Sequence, residues 1–247
     1  MSERHPLLGI LGGLGPMSTF YFCQLLTAHT AANCDADHID MIISSRATTP
    51  DRTAFILGNS REDPLPVMVE EAHRLIRAGA ELLVIPCNTA HYFYEGLQRE
   101  CNVPILNIIR ETVSFLKQDG ITRMGLLATE GTVRSNAYGR VCNELGIQCV
   151  YPTEQEQATV TSLIYDDVKQ GRTVDPQRLM GVANSLLEQG CERLVLGCTE
   201  LSLIKPLLSQ KENFTDSLEV LALRTILACG KTPVGLEFST RKGAAPL

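Results

Sequence analysis

The sequence predicts an α/β protein of two pseudo-symmetric lobes, each a parallel sheet flanked by helices, with the active site in the cleft between them. Three observations carry that expectation. Short apolar runs alternate with segments of helical spacing, the pattern of parallel sheets wound by crossover helices. The chain also repeats itself: residues 79–87, Gly-Ala-Glu-Leu-Leu-Val-Ile-Pro-Cys, match residues 190–198, Gly-Cys-Glu-Arg-Leu-Val-Leu-Gly-Cys, without a gap. Gly9-Ile10-Leu11 with Gly15 behind it is echoed by Gly125-Leu126-Leu127 with Gly131, so the echo reads as an internal duplication. Finally, Cys87 and Cys198 both close a predicted strand, and ligands of open parallel sheets collect at strand carboxyl ends. If the copies face each other across a pseudo-dyad, the two thiols converge on one cleft from opposite sides. Inverting a carbon centre needs one base on one face and one acid on the other.

Leu7 to Leu11 reads as a strand, Gly12-Gly13-Leu14-Gly15-Pro16 as a turn, and the stretch through Phe20, Cys23 and Leu26 as a helix. Next come a strand over 39–44, a polar loop over 45–58 and a helix over 67–78 closed by Gly79. Strand 82–85 delivers Cys87, strand 103–109 comes after it, and a helix covers 111–118. The second copy runs strand 124–128, turn Thr129-Glu130-Gly131-Thr132, helix 135–145, strand 148–151 and helix 158–169. A helix over 175–189, opened by Asp175-Pro176, precedes strand 194–196, and a helix over 216–229 is expected to return to the first lobe. The predicted lobes are 1–112 completed by 215–230, and 113–214; the tail 231–247 receives no element or role.

Composition excludes several classes. With 247 residues, 44% apolar and 20% charged, and a net charge of −6, the chain is ordinary globular material without a basic face for nucleic acid. No apolar run approaches the roughly 20 residues of a membrane helix, and Met1-Ser2-Glu3-Arg4-His5 lacks signal-peptide character. A cytoplasmic location is expected. Nine cysteines, an odd number, fit a reducing compartment. There is no CxxC or HExxH and the histidines are scattered, so no metal is expected. A cysteine is by default a small buried hydrophobe, the reading applied to Cys23, Cys34, Cys101, Cys142, Cys149, Cys191 and Cys229.

Cys87 and Cys198 are set apart by the polar residues just after them, Asn88-Thr89-Ala90-His91 and Thr199-Glu200. A thiol at a strand-to-helix turn lies near backbone amides and a helix dipole, which favour the thiolate. Neighbouring hydroxyls and amides suit a carboxylate ligand. The blander reading makes both cysteines core residues that happen to align, and the gap-free match argues against it. His91 is a candidate to cap a helix or to tune Cys87. Gly13-Leu14-Gly15 is a poor dinucleotide fingerprint, because Ser18 stands at the third glycine position and Pro16 removes an amide. It fits a wall of a substrate cleft better.

On the opening Gly9-Ile10-Leu11-Gly12-Gly13-Leu14-Gly15-Pro16, the Pro50-Asp51-Arg52-Thr53 loop, the Pro86-Cys87-Asn88-Thr89-Ala90-His91 box and the Gly197-Cys198-Thr199-Glu200 box, the chain resembles the cofactor-independent aspartate/glutamate racemases, most of all aspartate racemases. The resemblance runs from about residue 7 to 228. It implies a racemase that interconverts L- and D-aspartate without pyridoxal phosphate or other cofactor, and a homodimer. It implies Cys87 and Cys198 as the acid–base pair, Cys87 acting on the D- and Cys198 on the L-enantiomer. Asn88, Thr89, Thr132 and Thr199 are implied as substrate ligands, and Arg52 and Lys169 as cations for the side-chain carboxylate. A glutamate-preferring or broad-specificity racemase, and a non-catalytic amino acid binder, are the alternatives. Glutamate racemases typically open with Asp-Ser-Gly and place Thr-His after their second cysteine; this chain does neither. Arg46 is an extra cation near the expected site that could tighten recognition, change the preferred acid or point outward.

Overall fold

The computed structural model describes residues 5–236, so Met1–Arg4 and the tail beyond 236 lie outside the described residues. The described chain forms two compact units, 5–108 with 218–236, and 109–217.

In the first unit β1 (Leu8–Gly12) leads into α1 (Pro16–His29), β2 (Met41–Ser45), α2 (Arg52–Ile56), α3 (Pro64–Arg77), β3 (Leu82–Val84), α4 (Tyr94–Glu100) and β4 (Ile105–Leu106). The strands are all parallel, in the order β2-β1-β3-β4. β1 and β3 are buried along their whole length, which is why both read as unbroken apolar runs rather than alternating ones. Asp63 caps α3 through Leu65 N at 2.9 Å, with Pro64 at the first helical position.

After α5 (Ile108–Gln118) the second unit runs β5 (Arg123–Leu127), α6 (Glu130–Arg134), α7 (Ala137–Leu145), β6 (Gln148–Val150), α8 (Glu154–Ser162), α9 (Pro176–Glu188), β7 (Arg193–Leu196), α10 (Thr199–Ile204) and β8 (Phe214–Asp216). Its order is β6-β5-β7-β8, again all parallel. α11 (Ser217–Ala228) belongs from Leu218 onward to the first unit.

The duplication extends to register and packing. Leu8 pairs with Leu82 in one sheet, and Met124 with Arg193 at the equivalent place in the other. A Cβ on Gly9 would lie 2.5 Å from Leu83 Cδ2 and 3.3 Å from Leu75 Cβ; one on Gly125 would lie 2.8 Å from Leu194 Cδ2 and 3.2 Å from Leu186 Cβ. The same leucine pair thus closes over the same glycine twice, and each central strand needs a residue without a side chain there.

Several expectations are corrected. The polar loop 45–58 contains α2, because Asp51 Oδ1 accepts from Ala54 N at 2.7 Å. The helix expected over 135–145 starts only at Ala137, after Asn136, whose φ of 52° is left-handed and separates it from α6, a short helix where the sequence suggested only the turn 129–132. The helix expected over 158–169 starts at Glu154 on a Thr153/Glu156 capping box and ends in a π turn, Leu163–Val168, where Lys169 N donates to Ile164 O at 3.0 Å. Strand 103–109 shrinks to β4, and β8 is a strand the sequence did not suggest. Cys34 is exposed and Cys23 and Cys149 are half-buried, so the buried reading holds only for Cys101, Cys142, Cys191 and Cys229. All nine cysteines are free thiols. The first tail residues, left without an element, bond back to the end of α1: Ala31 N donates to Thr232 O at 2.9 Å and Val234 N to His29 O at 2.8 Å. Among the described residues no helix is long and apolar enough to cross a membrane.

Gly13 has φ +80°, and a Cβ there would sit 2.4 Å from the backbone N of Arg46. Gly58 has a similar φ of +76° with nothing within 4 Å. Gly58→Ala should therefore cost only the left-handed strain of about 1–2 kcal/mol, and Gly13→Ala distinctly more, because backbone cannot move aside. Paired urea melts check this; equal losses would contradict it.

Candidate active site

Each sheet changes direction once. From β1 the chain moves out to β2 and returns to β3 on the other side; β5, β6 and β7 do the same. The crevice at such a switch point lies at the carboxyl ends of the two central strands. In the first unit those ends carry the Gly12–Pro16 turn and Cys87; in the second they carry the Ala128–Thr132 turn and Cys198.

In the first unit the glycine turn is pinned by Thr19, whose Oγ1 accepts from Gly13 N and donates to Gly15 O, both at 3.0 Å. Arg52, only 7% exposed, reaches the same turn from the start of α2. Its Nη1 donates to Thr49 O at 3.1 Å and Pro50 O at 2.8 Å, and its Nη2 to Leu14 O at 3.0 Å. Nε is buried and has no hydrogen-bond partner. Ser18 Oγ, in the first turn of α1, is likewise buried without one. Three backbone carbonyls thus fix a guanidinium while its buried Nε–H stays unused. Buried donors are nearly always paired, and the N-terminus of α1 beside them favours negative charge.

Cys87, Asn88 and Thr89 are all buried, on the strand end and the 3₁₀ turn Thr89–Phe93 that succeeds it. His91 braces that turn: Nδ1 donates to Cys87 O at 2.9 Å and Nε2 accepts from Ile108 N at 3.2 Å. With both ring nitrogens engaged, the tautomer is fixed and His91 holds the backbone of Cys87. Burial pushes its pKa from about 6.5 down to about 4, against the raising effect of the Cys87 and Leu106 backbone groups. Unfolded chains bind this proton below about pH 6.5 while the fold resists until about 4, so stability is lost as pH falls through that window. The loss should reach about 3 kcal/mol. Urea melts across pH 7 to 4 check it, with a shallower dependence expected for His91→Gln; identical slopes would remove His91 as the cause.

In the second unit Thr129 caps α6, its Oγ1 accepting from Thr132 N at 3.2 Å and lying 3.1 Å from Thr132 Oγ1. Gln157 Nε2 holds the turn through Ala128 O at 2.9 Å. Cys198, 4% exposed, precedes α10, and its Sγ donates to Glu200 Oε2 at 3.0 Å. Thr199 Oγ1 donates to the same oxygen at 3.4 Å. Lys169, at the end of the π turn, places Nζ 4.0 Å from Glu200 Oε1 and 4.2 Å from the centre of the Tyr165 ring. Burial first, and the Glu200 carboxylate second, hold the Cys198 thiol well above its ordinary pKa, with Lys169 opposing. This runs against the expected thiolate-favouring environment at Cys198: burial, and after it the carboxylate, outweigh the helix terminus.

The candidate residues therefore gather within their units, Arg52, Cys87, Asn88 and Thr89 at one switch point, and Thr132, Lys169, Cys198 and Thr199 at the other. Arg46 does not join them. Its guanidinium is taken by Glu70 and Glu71 of α3, both at 2.7 Å, and Glu71 also accepts from Ser44 Oγ at 2.6 Å. Sequence reasoning passed over Glu200 and Ser18; only the position of Glu200 two residues after the second repeat cysteine hinted at its place. Among the described residues no group of three or more His, Cys, Asp or Glu side chains is placed to hold a metal ion.

Two parallel sheets that each bring a buried thiol to a switch point define a duplicated α/β fold of the kind that carries small-molecule sites at its strand ends. The profile of the Asp/Glu/Hydantoin racemase family matches residues 11–225, and the chain belongs to that family. It is an isomerase of the amino acid racemase kind. Among solved structures it resembles the aspartate racemase of Picrophilus torridus at 30% identity and a TM-score of 0.81, over 92% of this chain and 96% of that one. An aspartate racemase homologue from Pyrococcus horikoshii OT3 matches at 25% identity and a TM-score of 0.73, over 92% and 100%. The broad specificity amino-acid racemase RacX of Bacillus subtilis strain 168 is 28% identical, over 89% of this chain and 96% of its own length.

Proposed function

We propose that the protein interconverts L- and D-aspartate without pyridoxal phosphate, by a 1,1-proton transfer between two cysteines. The observation that carries this reading is the duplicated delivery of a buried thiol, at the same place in two sheets of the same order and register. In the reaction one thiolate removes the α-proton and the other thiol returns a proton to the opposite face. An amino acid α-proton is far less acidic than a thiol, so the charge that develops on the α-carboxylate needs fixed donors. Asn88, Thr89, Thr132 and Thr199 fill that role.

Arg52 supports an acidic side chain. A guanidinium locked by three carbonyls with Nε unused is preorganised for a carboxylate, and Ser18 Oγ adds a second buried hydroxyl at the same turn. Lys169 contributes positive charge from the second unit. The likeness to RacX supports a second reading, a broad substrate range around the same chemistry. Proton NMR of the reduced, metal-free protein with L-aspartate in deuterated buffer, beside polarimetry, tests the proposal. Loss of the α-proton signal together with decay of rotation is expected. Inert aspartate with turnover of neutral amino acids would favour the second reading, and inertness towards every amino acid a non-catalytic binder.

A further inference from the structure

Glu200 is buried at 6% exposure, touches the sulfur of Cys198, and has no part in the two-thiol scheme. In the repeat the position equivalent to Glu200 holds Thr89, so the two copies differ two residues after each cysteine. A carboxylate that accepts an S–H bond stabilises the thiol and repels the thiolate.

We propose that Glu200 is a positioning residue for Cys198: its carboxylate accepts the thiol proton, fixes the orientation of Sγ, and makes Cys198 the side that enters the reaction as proton donor. This rests on the racemase reading above and adds a polarity to it. In the resting enzyme Cys198 is the thiol and Cys87 the base. When Cys198 delivers its proton, the S–H bond breaks, a C–H bond forms at the α-carbon and the electron pair stays on sulfur. Two negative charges then face each other, and Lys169 offsets the repulsion. In the reverse direction the Cys198 thiolate takes the α-proton and the bond to Glu200 is restored. Glu200 from the helix after Cys198, and Lys169 from the π turn, are the charged groups acting on this sulfur.

Peptide-resolved alkylation with iodoacetamide as a function of pH tests the assignment. In Glu200→Gln the Cys198 profile should move to lower pH, with labelling at pH 8 faster by about tenfold or more, the effect of removing one adjacent like charge. The Cys87 profile should not move, and Glu200→Asp should fall between the two. A residue that only braces the fold would leave the pH profile of Cys198 in place, and that result overturns the proposal. If Glu200→Gln does not fold, the native protein decides. The Raman difference between wild type and Cys198→Ser at pH 7 should contain an S–H stretch shifted to lower frequency than that of an exposed thiol, and an unshifted band or none overturns it. Neither readout requires turnover. Absent α-proton exchange with a shifted Cys198 profile would remove the racemase reading and keep the pair; active exchange with an unshifted profile would remove Glu200 and keep the racemase.

Discussion

Serine at position 87 or 198 is expected to reduce racemisation by at least about 10²–10⁴-fold, the usual contribution of one acid–base group. A hydroxyl is too weak an acid to exist as its anion near neutral pH, so it cannot remove an α-proton. It retains the size of the thiol and, at position 198, a donor for Glu200, so thermal stability should change little. Polarimetry reads the loss, and α-proton exchange in deuterated buffer reads what each variant keeps at one face. A single variant with full activity would end the two-base reading. A variant that loses activity only in proportion to a fall in Tm would point to a core residue instead of a catalytic one.

Arg52→Ala should change selectivity more than it changes anything else. If the guanidinium grips the side-chain carboxylate through a charged bond worth about 1.5–3 kcal/mol, kcat/KM for aspartate should fall about 10- to 10²-fold, with a much smaller loss for alanine. The comparison must be a ratio, because the same residue ties Leu14, Thr49 and Pro50 together and its removal loosens the turn. Arg52→Lys should not restore aspartate turnover, since an ammonium cannot bind three carbonyls and still present a donor edge. Equal damage to aspartate and alanine would assign Arg52 to the scaffold alone.

The contrast between Arg52 and Arg46 shows how sequence and structure divide the work. Both are arginines beside the expected site, and the chain gives no local reason to separate them. The structure sends Arg46 to two carboxylates on α3 and Arg52 into the glycine turn. Glu71 lies 25 residues from Arg46 and Leu14 lies 38 from Arg52, so the deciding partners come from other elements. Asp51 is different: its segment read as a loop, yet its cap on α2 is a local feature, set by the next three residues.

The duplicated strand-and-turn plan, the alternation that makes both sheets parallel, and the two cysteines as its chemical output are all written in the order of the residues. Those signals are local or periodic: side-chain period, glycine placement, and a nine-residue repeat read directly against itself. Folding in three dimensions had to supply the strand order that puts each cysteine at a switch point, the break at Asn136, the strand β8 and the environment of each thiol. The last is the most consequential. A turn at a helix start favours a thiolate, yet burial and one carboxylate reverse that preference at Cys198. Protonation depends on the sum of charges and water around an atom, and the packing of distant segments sets that sum.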